Sequence, residues 1–197
     1  IASASETRLV LTVDLPDGEG GFPGNRHVTA EWQIEAPATL RLTATTTTDA
    51  ETIVNFTNHS YWNLDGSAEW AGHTLRIAAD HVTEVDEDLI PTGRLLAVTD
   101  TDLDLRQERI ISPQSPSLDT NFCLSDAPTS MRDVLWLTGP SGVTMVVATT
   151  EPGIQVYCGN FLDGSVKGKK GAVYGFRSAV CLETQKYPDT PNKPEWP

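Results

Sequence analysis

Val28-Thr29-Ala30-Glu31-Trp32-Gln33-Ile34, followed beyond Pro37 by Thr39-Leu40-Arg41-Leu42-Thr43-Ala44-Thr45-Thr46-Thr47, decides the fold class. In the first run Val28, Ala30, Trp32 and Ile34 fall on one side; in the second Leu40, Leu42 and Ala44 alternate with threonines. A period of two marks a half-buried β-strand, whose successive side chains point to opposite faces. Comparable runs occupy Thr7–Val13, Glu51–Thr57, His73–Ala78, Arg94–Thr99, Val134–Thr138, Val143–Thr149, Ile154–Cys158 and Ala179–Thr184. Threonine and valine dominate them, and both fit a pleated surface. Turn residues separate the runs, as at Pro16-Asp17-Gly18 through Gly24-Asn25. No window carries a sustained i, i+3, i+4, i+7 apolar pattern with caps. Repeated short strands between turn signals predict an all-β sandwich or barrel, read as one domain over residues 1–197.

Composition narrows the function. The 197 residues carry 27 acidic and 14 basic side chains, a net charge of −13. That balance argues against a duplex nucleic-acid binder, which needs a basic face to displace counterions. Nothing approaches the run of roughly 18 apolar residues that a membrane helix requires. Ile1–Glu6 has neither the basic nor the apolar region of a signal peptide. Cys123, Cys158 and Cys181 are widely spaced, which predicts free thiols and a reducing compartment, the cytoplasm, with the periplasm or secretion as alternatives.

Several tempting motifs fail on spacing. Asp100-Thr101-Asp102-Leu103-Asp104 opens like a calcium loop but has Leu105 and Ile111 where that loop needs Gly and Glu. Gly159–Gly171 lacks the spacing of a phosphate-binding loop and reads as an exposed hairpin. No G-x-S-x-G elbow is present. His27, His59, His73 and His81 are scattered, so no metal site is expected.

Two segments remain that place polar chemistry within strand-like sequence. In Asn58-His59-Ser60-Tyr61-Trp62-Asn63-Leu64, an extended backbone puts His59, Tyr61 and Asn63 on one face. In Val180-Cys181-Leu182-Glu183-Thr184-Gln185, Val180 and Leu182 face one way and Cys181, Glu183 and Gln185 the other. Glu183 is therefore expected to be partly buried, where a carboxylate is paired or its pKa rises. A structural histidine and a structural ion pair are the bland readings. An imidazole and a carboxylate also make an acid and a base suited to moving protons on a sugar. Asp119 and Gln155 offer acceptors and donors for hydroxyl groups, and Tyr61 and Trp62 offer flat apolar faces.

The chain resembles the aldose 1-epimerase (galactose mutarotase) family. The resemblance runs in order through Pro16–Asn25, Asn58–Leu64, Val85-Asp86-Glu87, Ile90-Pro91-Thr92-Gly93, Asp119-Thr120-Asn121-Phe122, Pro152–Gly164, Cys181–Gln185 and Tyr187-Pro188-Asp189. It implies a large antiparallel β-sandwich, the galactose mutarotase-like supersandwich, incomplete in this chain because the family's N-terminal strands and C-terminal tail are missing. It implies interconversion of hexose anomers such as those of galactose and glucose, with Glu183 as general base at the C1 hydroxyl and His59 as general acid at the ring oxygen. Asp119 and Gln155 match positions that hold sugar hydroxyls, and Tyr61 stands beside the acid. The family needs no cofactor and no metal, and its partner is a small hexose rather than a nucleic acid or a membrane. Thr120 stands where the family usually has histidine. That departure and the missing strands motivate an alternative, a non-catalytic sugar-binding or structural module. A glycosidase using Asp119 and Glu183 is a weaker alternative. Exposed edge strands also predict self-association or pairing with a complementary chain.

Overall fold

A computed structural model describes residues 1–197 apart from the side chain of Lys170. The chain forms two compact units, Ile1–Phe56 and Thr57–Pro197. The first is one antiparallel sheet of β1 (Ser3–Ala4), β2 (Arg8–Leu15), β3 (Arg26–Glu35) and β4 (Thr39–Thr48), in that order. The alternation that begins the sequence reading sets its register, with Ala30 opposite Ala44 and Trp32 opposite Leu42. Arg8 bonds Glu31 and Arg41 bonds Glu35, each pair with a closest approach of 2.7 Å.

The Pro16–Asn25 connection is organised around Arg26, whose buried guanidinium donates to the carbonyls of Pro16 and Glu19 at 3.2 and 2.9 Å. Asp17 Oδ1 accepts from the Gly24 amide at 2.7 Å. Gly24 has φ +79°, and a Cβ there would stand 2.7 Å from Thr48 Oγ1, so this tight corner requires glycine. Glu51–Thr57, read from sequence as a strand, belongs to no ladder. Its β-branched residues have propensity but no partner strand, and pairing is what stabilises a strand.

The second unit is a sandwich of two antiparallel sheets. One runs β5 (Tyr61–Trp62), β14 (Val180–Gln185), β13 (Gly153–Tyr157), β10 (Asp119–Cys123), β7 (His81–Val85), β8 (Pro91–Ala97). The other runs β12 (Thr144–Thr149), β11 (Arg132–Thr138), β6 (Thr74–Ile77), β9 (Arg109–Ile110). One core joins them: Phe122, Ile154, Val156, Val180 and Leu182 from the six-stranded sheet meet Leu75, Ile77, Leu135 and Leu137 from the four-stranded one. Removing this apolar surface from water is the main force holding the sandwich together.

Two buried polar side chains in this unit take backbone partners. Arg177 lies in the left-handed region at φ 53° and donates to the carbonyls of Ser115, Ser112 and Pro113, closing the 112–117 turn. His73 is fully buried and its Nε2 accepts the Leu64 amide at 3.0 Å, which is a structural role. The Gly159–Gly171 stretch is closed by an isolated antiparallel bridge between Lys167 and Val173, the hairpin-like loop its composition suggested. The acidic run at 100–104 is ion-paired on the surface, Asp104 with Arg106 and Asp102 with Arg109.

Two strands of the six-stranded sheet, β7 and β10, were not anticipated from sequence. Asp119-Thr120-Asn121 is turn-forming by composition, and its strand state is imposed by pairing with β13 and β7 on either side. Among the described residues no helix is long and apolar enough to cross a membrane.

The core carries a direct stability expectation. Phe122→Ala, at a site 1% exposed, should destabilise the protein by about 3–5 kcal/mol in denaturant titrations. Leu40→Ala on the open face of β4 should change stability by less than about 0.5 kcal/mol.

Candidate active site

The six-stranded sheet has one face in the core and one face open, and period-two alternation sorts its side chains between them. On β14, Val180 and Leu182 point inward, leaving Cys181 and Glu183 on the other side. On β13, Ile154 and Val156 are core and Gln155 and Tyr157 are not; on β10, Phe122 is core and Asp119 and Asn121 are not. Register then aligns the open-face residues across strands. Asn121 pairs with Gln155, and Gln155 with Glu183. One rung away, Asp119 pairs with Tyr157, Tyr157 with Cys181, and Cys181 with Tyr61. Four strands thus bring residues more than 100 positions apart in sequence onto one patch.

His59 lies just before the two-residue strand β5. That segment is fixed by Asn63, whose Nδ2 donates to the carbonyls of Ser67 and Ser178, and by the Leu64 amide bond to His73. His59 Nε2 stands 3.3 Å from Glu183 Oε1, and His59 Nδ1 stands 3.4 Å from Cys181 Sγ. The two partners differ in surroundings: Glu183 is 8% exposed, whereas the His59 side chain is 56% exposed. Burial pushes the Glu183 carboxyl above the ordinary glutamate range; the imidazole opposes that rise and the Asp119 charge adds to it. Burial, then the neighbouring Glu183 charge, pushes the Cys181 thiol up to about 12.

Aromatic rings border the pair. Tyr61 lies 5.4 Å and Tyr157 6.5 Å from the His59 ring, centroid to centroid, and Phe161 stacks on Tyr157 at 6.0 Å. Burial raises the pKa of both tyrosines, so their hydroxyls remain protonated donors at neutral pH. Beyond them, Gln155 Nε2 donates to Asp119 Oδ1 at 2.8 Å.

The structure therefore brings His59, Glu183 and Tyr61 into one cluster, and joins Asp119 to Gln155 across two neighbouring rungs of the same sheet face. Trp62, read from sequence as a second sugar-facing ring, instead packs against the core, as alternation along β5 dictates. Tyr157 and Cys181 were missed as site residues. The signal was present: each lies two positions from a chosen residue, on the same face.

The donors of His59, Cys181 and Glu183 lie within 4.8 Å of one another, close enough to hold a divalent cation. Such an ion would occupy the imidazole and carboxylate together, and its binding would require loss of a strongly held thiol proton.

The second unit is thus an all-β sandwich with an imidazole–carboxylate pair on the open face of its six-stranded sheet. The sequence profile described as Aldose 1-epimerase matches residues 2–197, and the chain belongs to that family. It is 42% identical over 192 residues to galactose mutarotase of Rattus norvegicus, an alignment covering 92% of this chain and 55% of that protein. It is 31% identical over 209 residues to aldose 1-epimerase of Escherichia coli strain K12, covering 100% of this chain and 60% of that protein. An aldose epimerase homologue from C. elegans superposes with a TM-score of 0.89 at 28% identity, covering 100% of this chain and 61% of that one. The chain thus spans a little over half the length of these relatives.

Two outcomes test this electrostatic description. Because the folded pKa of Glu183 is raised, the charged form is disfavoured in the folded state. Its cost is absent below the unfolded pKa and grows as pH rises through the folded value. Glu183→Gln should therefore melt at a higher temperature than the parent protein at pH 7, the difference closing by about pH 4. Cys181 and Cys123, with thiols pushed up to about 12 and about 11, should remain unmodified by iodoacetamide at pH 8 in the folded protein, as read by intact mass.

Proposed function

We propose that this chain is an aldose 1-epimerase, interconverting the α and β anomers of hexoses such as galactose and glucose. The observation that carries the reading is the 3.3 Å contact between an exposed imidazole and a buried carboxylate. The two groups can address two oxygens of one small molecule at once. The rest of the patch suits a neutral sugar, with rings for its apolar face and the Asp119–Gln155 pair for its hydroxyls.

The proposed cycle conserves protons. Glu183, as carboxylate, takes the proton from the C1 hydroxyl while protonated His59 delivers one to the ring oxygen. The bond between C1 and the ring oxygen breaks and a carbonyl forms at C1. Rotation about C1–C2 presents the opposite carbonyl face to the C5 hydroxyl. On reclosure neutral His59 takes the C5 hydroxyl proton and protonated Glu183 returns its proton to the new C1 oxygen, so both groups end as they began. The raised pKa of Glu183 matters here, because a base is most effective when its pKa approaches the working pH.

No resident metal or cofactor enters this scheme. Free Cys123, Cys158 and Cys181 support a reducing, cytoplasmic setting. The expected partner is the hexose. Edge strands β4 and β12 are the surfaces through which a complementary chain or a second copy would add.

Polarimetry on freshly dissolved α-D-galactose is the test. Glu183→Gln and His59→Asn should each slow enzyme-dependent mutarotation by about 10²–10⁴-fold while circular dichroism stays unchanged. A parent protein that binds galactose in calorimetry yet leaves mutarotation at the buffer rate would instead support the non-catalytic sugar-binding module.

A further inference from the structure

Cys181 has no part in the cycle proposed above, yet its Sγ stands 3.4 Å from His59 Nδ1 while His59 Nε2 faces Glu183. The thiol is fully buried, in a strand position paired with Tyr157 on β13 and with Tyr61 on β5. Glu183 lies two residues further along the same strand and on the same face. One strand therefore presents a partner to each nitrogen of the imidazole.

In the resting ring the two partners select one tautomer. An ionised Glu183 only accepts, so it calls for a hydrogen on Nε2. Nδ1 then carries a lone pair, and the S–H group can donate to it. Burial, then the Glu183 charge, pushes the thiol up to about 12, so that donor is present at neutral pH. The cycle asks for the reverse as well. Protonated His59 carries hydrogen on both nitrogens, and after Nε2 has given its proton to the ring oxygen the remaining hydrogen is on Nδ1. In both of those states Nδ1 donates and the sulfur must accept. Its own hydrogen can then turn to the Tyr61 hydroxyl, which also hydrogen-bonds with the thiol. A thiol can thus face Nδ1 in every protonation state of the ring without adding a charge. A carboxylate there could only accept, and a backbone amide could only donate.

We propose that Cys181 is a positioning residue for His59: its buried thiol holds the imidazole through Nδ1 so that Nε2 faces the reacting oxygen, and it reverses that hydrogen bond as the ring gains and loses a proton. The kinetic consequence rests on the epimerase reading; the hydrogen bond to the resting imidazole does not.

The test compares the full chain with Cys181→Ala, Cys181→Val and Cys181→Ser, using polarimetric kinetics on α-D-galactose and the nitrogen NMR resonance of His59 Nδ1 at pH 8. Cys181→Ala should lower kcat about five- to tenfold and leave KM within about twofold, because the lost contact orders the acid and does not touch the sugar. Cys181→Ser, which keeps a donor and an acceptor, should recover most of that loss. In the spectra Nδ1 should move downfield in Cys181→Ala, toward a lone pair with no donor, and stay near the parent position in Cys181→Ser. Cys181→Val is apolar and suited to a strand; it should match the alanine variant in both readouts, and it decides the matter if that variant fails to fold. A thiol that only packs would give the opposite ranking, with the apolar variants nearer the parent than serine and Nδ1 unmoved, and that result would overturn the proposal. Should the parent show no turnover, the epimerase reading fails by itself and the Nδ1 resonance decides: a shift in the apolar variants that serine reverses supports the positioning role, and an unmoved resonance overturns it.

Discussion

Everything in the candidate site depends on one constraint, the sealing of one face of the six-stranded sheet. Once Phe122, Ile154, Val156, Val180 and Leu182 are committed to the core, the intervening residues have no freedom of side. A slip of one residue in β14 would bury Glu183 in hydrocarbon and expose Leu182. The apolar core thus sets the positions of the polar groups, and those positions are as firm as the core is.

That rigidity has an electrostatic consequence. Glu183 sits in a central strand, between β13 and β5, and is nearly removed from solvent. Water therefore cannot stabilise its charge fully, and the neighbours that compensate are few: an imidazole at 3.3 Å on one side and, further off, a carboxylate that makes matters worse. A carboxyl in this state holds a proton more readily than a free glutamate does. The local cost in folding stability and the readiness to hold a proton have the same origin, the desolvation of one side chain.

The sequence was most legible where alternation was strict. The strands around Val28–Ile34, Thr39–Thr47, Val143–Thr149 and Ala179–Thr184 all lie within a residue or two of their observed bounds. It was least legible where tertiary pairing overrides local preference, as in β10, whose Asp119-Thr120-Asn121 composition favours a turn, or where a good strand former finds no partner, as at Glu51–Thr57. For the site, the facing of Cys181 and Glu183 and the burial of the glutamate could be read from Val180 and Leu182 alone. That His59 meets Glu183 could not, because it depends on the β5–β14 pairing, which spans about 120 residues and leaves no local trace.

The shortness of β5 separates the two halves of the proposed acid–base pair in a mechanical sense. Glu183 is laced to β13 in a strand whose start is also paired with β5, whereas His59 precedes a two-residue edge strand, with Asn63 and His73 fixing the residues that follow. The ladder with β13 holds the carboxylate, and the imidazole lies outside any ladder. Such an assembly sets a fixed anvil opposite a lightly held arm: the sheet fixes the carboxylate, and the segment before β5 places the imidazole. It also separates the two in heredity, because changes near residue 58 can re-aim the arm without disturbing the sheet that carries the anvil.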